Sequence, residues 1–467
     1  MDGTERISDL SQKEISSWSR TNFSCSKIAF PETVEEICFL IQEAKSDQKT
    51  IIGRGAGRSY GDEALNDGHI VISTDKMDQI INWDKKSGLL KVQTGVNYEK
   101  VMSYCINDGW IPAVIPGTRY VTMGGALANN VHGKNSYICG NFGEWVQEFK
   151  IIIATGECLV CSNKINEDLF FSVIGGAGLL GIVIEITLQL IKIPSAILSI
   201  KRSVAPTFYE LIDNLDKVSK YNDFAIAQVD CFPENIGLGR GTIHAGKFIG
   251  GDFDIDMEKM KKVSPNMFGV IPKRLIPIIG SYILNDKIMR WVSRLKYYFD
   301  KKTATEGVYN EDIFNFTFLL DQVPNWRNMF KYGFFEYEPL IPREKARIII
   351  PQLISLTHKY EMPAYLSAIK IHRKDNFMLS YSMDGYSFAM DIPRRPKEKE
   401  KQDNLFKEMN KLIIQAGGIV YLAKDANLTS NEFKQMYKNT DMFLAVKKKY
   451  DPEEIFQSDM YRRLFKQ

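Results

Sequence analysis

With 467 residues the chain is longer than one hydrophobic core usually serves, so two domains are expected. Apolar residues make up 44% and charged residues 25%, proportions that exclude a wholly disordered chain or a fibre. Lys and Arg number 60 against 57 Asp and Glu, and a net charge of +3 excludes the dense positive surface of a phosphate-tracking nucleic-acid binder.

Met1 to Ser8 are polar and of mixed charge, without the basic and apolar stretches of a secretory leader. A helix is predicted over Pro31–Lys45, opened by Pro31, with Val34, Ile37, Leu40, Ile41 and Ala44 at helical spacing. Thr50-Ile51-Ile52 reads as a short buried strand running into Gly53-Arg54-Gly55-Ala56-Gly57-Arg58-Ser59-Tyr60-Gly61-Asp62. Strands over Ile70–Ser73 and Leu89–Thr94 follow, then an amphipathic helix over Tyr98–Ile106. A second small-residue stretch runs from Pro116-Gly117-Thr118 through Gly124-Gly125-Ala126 to Asn130, and leads into Val131-His132-Gly133-Lys134-Asn135. Phe149–Ile153 and Glu157–Cys161 flank a turn at Ala154-Thr155-Gly156, a hairpin signal.

Beyond about residue 200 the runs lengthen. Strands are predicted over Ala225–Phe232, Phe314–Leu320, Arg347–Ile350 and Phe377–Asp391. Ile283–Lys302 reads as a basic helix with Ile288, Trp291, Val292 and Leu295 on one face, a core or lid helix or one lying on a membrane surface. Arg394 to Lys401 form a solvated charge run expected to cross between domains. Asp403–Ala416 is then a helix stopped by Gly417-Gly418. No window holds the ~18 uninterrupted apolar residues of a membrane span. The closest, Met267 to Leu284, is broken by Pro272, Lys273, Arg274 and Pro277.

Gly176-Ala177-Gly178-Leu179-Leu180-Gly181 satisfies G-x-G-x-x-G, which is a dinucleotide fingerprint only when a strand precedes it and a helix follows. Here 168–174 reads as helix and 182–188 alternates as a strand, so a tight turn or a close backbone approach explains these glycines better. The 53–62 loop differs. Its glycines let successive backbone N–H groups converge on an anion, and Arg54 and Arg58 add charge. Alone it reads equally well as a surface turn. The second loop, at 117–130, tips the reading towards a long phosphate-bearing cofactor laid along the backbone. Seven cysteines, from Cys25 to Cys231, form no disulfide framework, so a reducing compartment is expected. Cys158 and Cys161 have C-x-x-C spacing without a second pair and read as structural. The histidines at 69, 132, 244, 358 and 372 show no ligand spacing, and no metal is expected.

Gly53 to Asp62, Pro116-Gly117-Thr118-Arg119-Tyr120-Val121-Thr122-Met123-Gly124-Gly125-Ala126 and Val131 to Asn135 resemble the FAD-binding domain of the vanillyl-alcohol-oxidase superfamily. More narrowly they resemble the family of decaprenylphosphoryl-β-D-ribose 2′-oxidases. Val420 to Asp425, Tyr450-Asp451-Pro452 and Phe456 to Met460 match that family too. The resemblance implies an α+β, two-domain PCMH-type fold. Residues 1–197 would form the FAD-binding domain, 198–418 a substrate domain on a large antiparallel sheet, and 419–467 a segment returning to the FAD domain. By matched position FAD would contact Arg54, Gly55, Ala56, Gly57, Arg58, Ser59, Tyr60, Gly61, Asp62, Gly117, Thr122, Met123, Gly124, Gly125, Asn129, Asn130, Val131, His132, Val183 and Tyr421. Covalent members of the superfamily carry histidine where this chain has Arg58, so FAD is expected to be bound non-covalently.

Alcohol oxidation needs a group that manages the hydroxyl proton and positive charge near the reduced ring. The resemblance assigns the first task to Lys424, with Tyr60 as its hydrogen-bonding neighbour. It places Lys134, Lys370 and His132 at the substrate pocket. The family's two sugar-binding glutamines fall at Glu336 and Glu338, its asparagine and cysteine at Ser387 and Ala389, and a phenylalanine at His372. The reaction implied is oxidation of the 2′-hydroxyl of a polyprenyl-phosphate pentose, the first half of an epimerisation in cell-wall or polysaccharide synthesis that a short-chain reductase partner completes. The altered 336–338 and 387–389 residues suit a soluble aldonolactone or polyol as the alternative. A non-catalytic flavin-binding partner is the alternative of another class. The protein is expected in the cytoplasm, with at most peripheral contact at the inner face of the membrane.

Overall fold

The computed structural model describes residues 6–251, 265–267, 271–304 and 307–466; residues 1–5 of the polar leader and 268–270 of the apolar stretch lie outside these. Three main sheets organise them. In the first, Gln12–Ser16, Phe23–Ala29, Ile70–Ser73 and Ile51–Arg54 lie side by side in that order. The last three strands are mutually parallel. The helix Val34–Ser46 covers them, capped by Thr33 through the backbone N–H of Glu36 and not opened at Pro31.

The second sheet is antiparallel, ordered Ile80–Asp84, Leu89–Gln93, Ile182–Lys192, Val146–Ile152 and Cys158–Ser162, and Trp110–Pro112 also pairs with Ile182–Lys192. Its long central strand buries Ile182, Ile184, Ile186, Leu188 and Leu190, one side of a period-two pattern.

Every strand of the third sheet lies between residues 197 and 420. The order is Val308–Asp312, Ile197–Ala205, Gly241–Phe248, Phe224–Val229, Leu366–His372, Gly385–Pro393, Pro339–Pro342 and Ile419–Val420, with Phe334–Tyr337 on the other end of Gly385–Pro393. All its pairings are antiparallel. Helices Phe208–Ser219, Arg343–Lys359 and Lys399–Ala416 pack on this sheet. One buried apolar cluster runs from Phe149 and Ile186 of the second sheet to Ile200, Phe388 and Met390 of the third, so the two halves share a core.

After Val420 the chain leaves the large sheet. Phe456 bridges to Ile51 beside the first sheet. Fully buried Lys447 pairs with Asp451 and donates to the carbonyls of Leu179 and Phe456, all at 2.8 Å. Arg463 grips Asp62 through two bonds of 2.9 and 2.6 Å and pairs with Asp425 at 2.9 Å.

Four sequence readings need correction. Phe314–Leu320 is a helix, Ile313–Thr317, followed by a 3-10 turn over Leu319–Gln322. The Asp312 side chain caps it, and burial of Ile313, Phe314, Phe316 and Thr317 together leaves no exposed side to mark the period. Arg347–Ile350 lies inside the helix Arg343–Lys359, whose buried positions Ala346, Ile349, Ile350, Leu353, Ile354 and Thr357 show helical spacing that four residues cannot. Of Phe377–Asp391 only the part from Gly385 is strand. The charge run does not cross between domains. Arg395 pairs with Asp286 at 2.6 Å, and from Lys399 the residues are already helical, with Lys399 and Asp403 paired across one turn.

Candidate active site

Between the halves lies a cavity of about 1110 Å³, above the ~300–1,000 Å³ of most small-molecule sites. One end is made by backbone. The strand Ile51–Arg54 feeds Gly55, Ala56, Gly57, Arg58 and Ser59 along the wall, and Gly117, Thr122, Gly124 and Gly125 face them. The two loops approach too closely for side chains. A Cβ on Gly55 would lie 2.2 Å from the Thr122 hydroxyl, and one on Gly124 would lie 1.9 Å from the Thr94 hydroxyl. Gly57 sits at φ +60°, which glycine adopts without strain. Gly178 and Gly181 line the same end, in a turn between the helix Glu167–Val173 and the strand Ile182–Lys192.

Two polar groups at this end have atoms without a hydrogen bond among the described residues. Arg58 stacks between Trp18 and Tyr120, 4.1 and 4.6 Å from their ring centroids, and its buried Nε has no hydrogen bond. Both carboxylate oxygens of buried Glu63 are likewise unbonded. Burial pushes the Glu63 carboxyl up to about 7, against the opposing charge of Arg54.

The other end is charged, because alternate residues of the large sheet point into it. Glu336, Glu338, Ala368, Lys370, Ala389 and Asp391 all line the cavity. Lys424, at the end of the short turn Leu422–Lys424, places its Nζ 2.8 Å from the Glu336 carboxylate and 3.6 Å from the centre of the Tyr60 ring. Tyr60 is fixed by its N–H, which donates to the Ala423 carbonyl at 2.8 Å. Burial, then Glu336 and Asp391, hold the Tyr60 phenol well above its usual range, so it stays protonated.

Glu338, fully buried, lies 3.3 Å from Lys370 and 3.5 Å from His132. Burial opposes ionisation of Glu338, but Lys370 and His132 outweigh it and hold the carboxyl well below its usual range. Burial and then Lys370 lower His132 to about 4, so its ring is neutral at pH 7. Lys134 donates to the Phe316 carbonyl and lies over the Phe316 ring, and burial lowers it to about 7.

The cavity thus gathers Arg54, Gly55, Ala56, Gly57, Arg58, Ser59, Tyr60, Gly117, Thr122, Gly124, Gly125, Asn129, Val131, His132, Lys134, Val183, Glu336, Glu338, Lys370, Tyr421 and Lys424. Five expected residues lie off its wall. Met123 points into the core, Asp62 is held by Arg463, and Gly61 packs on the Asp425 backbone. Asn130 bonds Asp375 at 2.8 Å and Gly143 at 2.9 Å, and the Ser387 hydroxyl pairs with the His372 ring at 2.9 Å. Sequence reasoning missed Glu63, Trp18, Arg327 and Asp391, all on the wall. Asp391 alone left a trace. It continues the two-residue rhythm of 387 and 389 along Gly385–Pro393.

A model of the FAD binding domain matches residues 26–162, and one of D-arabinono-1,4-lactone oxidase matches residues 258–464. The chain is 28% identical over 459 residues to decaprenylphosphoryl-beta-D-ribose oxidase of Mycolicibacterium smegmatis, covering 97% of each. It is 23% identical over 470 residues to L-gulonolactone oxidase of Mus musculus, covering 97% of this chain and 98% of the relative. D-lactate dehydrogenase of Anaerostipes hadrus shares 25% identity over 174 residues, 36% of this chain and 37% of its own.

Proposed function

Because the chain belongs to the FAD-dependent oxidoreductases of the vanillyl-alcohol-oxidase superfamily, with their PCMH-type fold, we propose that it oxidises the 2′-hydroxyl of a polyprenyl-phosphate pentose to a ketone. The observation that carries the chemistry is Lys424, held by Glu336 above Tyr60 at the charged end of a cavity whose other end is a glycine cradle. The residues present suit FAD. Gly55, Gly57, Gly117, Gly124 and Gly125 present bare backbone along the wall to its phosphates and ribityl chain, and the unbonded Arg58 Nε and Glu63 oxygens are free to meet polar groups. When bound, FAD supplies the two-electron acceptor that takes hydride from the carbinol carbon. Lys424 would hold the oxygen from which the proton departs, and the Glu336 carboxylate, which keeps the ammonium aimed, would accept that proton. Tyr60, held protonated, serves as a donor and not as the base.

The lipid-linked reading is supported by the full-length similarity to a decaprenylphosphoryl-ribose oxidase and by the cavity itself. Beyond the charged end its wall includes Met289, Val292 and Tyr297 of the helix Asp286–Thr303. The exposed side of that helix carries Trp291, Tyr298 and Phe299 beside Lys287, Arg294 and Lys301, a composition suited to a lipid surface. No helix among the described residues is long and apolar enough to cross a membrane. On this reading the protein works at the inner face of the membrane and a short-chain reductase receives its ketone. The second reading, a soluble aldonolactone or polyol, is favoured by the lactone-oxidase match over 258–464. The test is anaerobic bleaching of the flavin by polyprenyl-phosphate sugars, polyols and aldonolactones. Bleaching by the pentose lipid supports the first reading, bleaching by lactones alone transfers the assignment to the second, and bleaching by neither class refutes both.

A further inference from the structure

Three carboxylates line the charged end, and two of them have cations. Glu336 has Lys424, and Glu338 has Lys370. Asp391 has neither an ion pair nor a side-chain hydrogen bond among the described residues, although it is only 8% exposed and lines the cavity. A buried polar group without a partner is costly, and one that faces a cavity is ordinarily completed by what enters it. The sheet register places Asp391 directly across from Glu336, and so beside the ammonium that Glu336 holds.

We propose that Asp391 is a substrate-binding residue. It takes the hydroxyl next to the one that Lys424 holds, so that the pocket selects a vicinal diol. The inference rests on the sugar-alcohol reading of this cavity and deepens it. Two adjacent hydroxyls need two polar contacts from one side of the ring, and the facing strands Phe334–Tyr337 and Gly385–Pro393 supply them from directly opposed positions.

The protonation of Asp391 sharpens the test. Its carboxyl faces Glu336 and Glu338 from the neighbouring strands, Lys424 from the returning segment and Tyr60 from the glycine loop. Burial first, then Glu336, hold it well above the usual carboxylate range against the pull of Lys424. That shift favours the protonated form, which donates a hydrogen bond. Asparagine has the same shape and keeps a donor at every pH.

The experiment is stopped-flow flavin reduction in the holoenzyme. The probes are a polyprenyl-phosphate ribose and its 3′-deoxy analogue, measured with wild type, Asp391→Asn and Asp391→Leu at pH 6. Wild type at pH 6 should need ~10-fold more of the deoxy compound for half-saturation, the scale of one buried hydrogen bond. Asp391→Leu should lose that discrimination. Asp391→Asn should keep it. Undiminished discrimination in the leucine variant overturns the proposal. If that variant fails to fold, equal half-saturation of wild type by the two probes overturns it instead. Failure of both probes to bleach wild type refutes the substrate reading, and the Asp391 assignment falls with it.

Discussion

Replacing Lys424 with Met keeps the length and most of the volume of the side chain but removes its charge. The pair it forms with Glu336 is 2.8 Å long, with side chains 17% and 12% exposed. At an effective dielectric of ~20 the gross attraction is ~6 kcal/mol, most of it offset by desolvation of the two ions. Leaving Glu336 alone beside Asp391 and Glu338 should therefore lower stability by ~3–5 kcal/mol, the usual cost of stranding one member of a buried pair. Flavin reduction by substrate should slow by ~10²-fold or more, the scale of a lost charge-stabilising or proton-handling group. The two effects separate in the double variant Lys424→Met/Glu336→Gln. It should regain most of the lost stability by thermal denaturation, yet reduce its flavin as slowly as the single variant in anaerobic rapid mixing. A double variant that recovers near-wild-type reduction would show that Lys424 acts through folding alone. A single variant within 3-fold of wild type would remove it from the mechanism.

Acid precipitation should leave all the flavin in the supernatant, because Arg58 fills the slot of the covalent histidine; flavin fluorescence that travels with the denatured polypeptide would refute this. The Glu63 carboxyl, raised to about 7, is neutral below that pH and charged above it. FAD phosphates are anionic, so affinity should fall as pH rises through 7, by up to ~10-fold per pH unit if only the protonated form binds, and Glu63→Gln should abolish the slope. Fluorescence titration of the apoprotein at pH 6 and 8.5 measures it, and equal slopes in both proteins would refute the idea. Gly61→Ala would place a Cβ 1.9 Å from the Asp425 carbonyl oxygen, and backbone cannot rotate away. It should cost ~1–3 kcal/mol and lower flavin occupancy, whereas an unchanged melting temperature would mean that the loop slides freely on the C-terminal segment.

The first half of the fold was legible because its elements are short and strongly patterned. The strand at 182–192 shows period two over eleven residues, and the helix before the 176–181 glycines was enough to reject a dinucleotide fingerprint. The helices at 313–317 and 343–359 were misread where the window was shorter than two turns or where both sides of the element are buried. At the site, the glycine loops and Lys424 stand in runs distinctive enough to be recognised. Their neighbours do not inherit the role, since backbone direction alternates. Met123 sits between Thr122 and Gly124 on the wall yet points into the core, and Asn130, at φ +43°, turns from the wall to Asp375. Among the described residues Asp391 has no ion pair and the Glu63 oxygens no hydrogen bond, and a partner's absence is a property of three dimensions only.

The grip of Arg463 on Asp62 joins groups 401 residues apart. On a ribosome adding ~5–20 residues per second, the glycine loop is made roughly 20–80 s before the residue that clamps it. Lys424, which shares the Asp425 end of the same clamp, also arrives late. Throughout that interval the nascent chain presents half a cofactor site, with the buried Glu63 and Arg58 still open to water. Flavin loading is thus ordered in time. It completes only once Arg463 has been made.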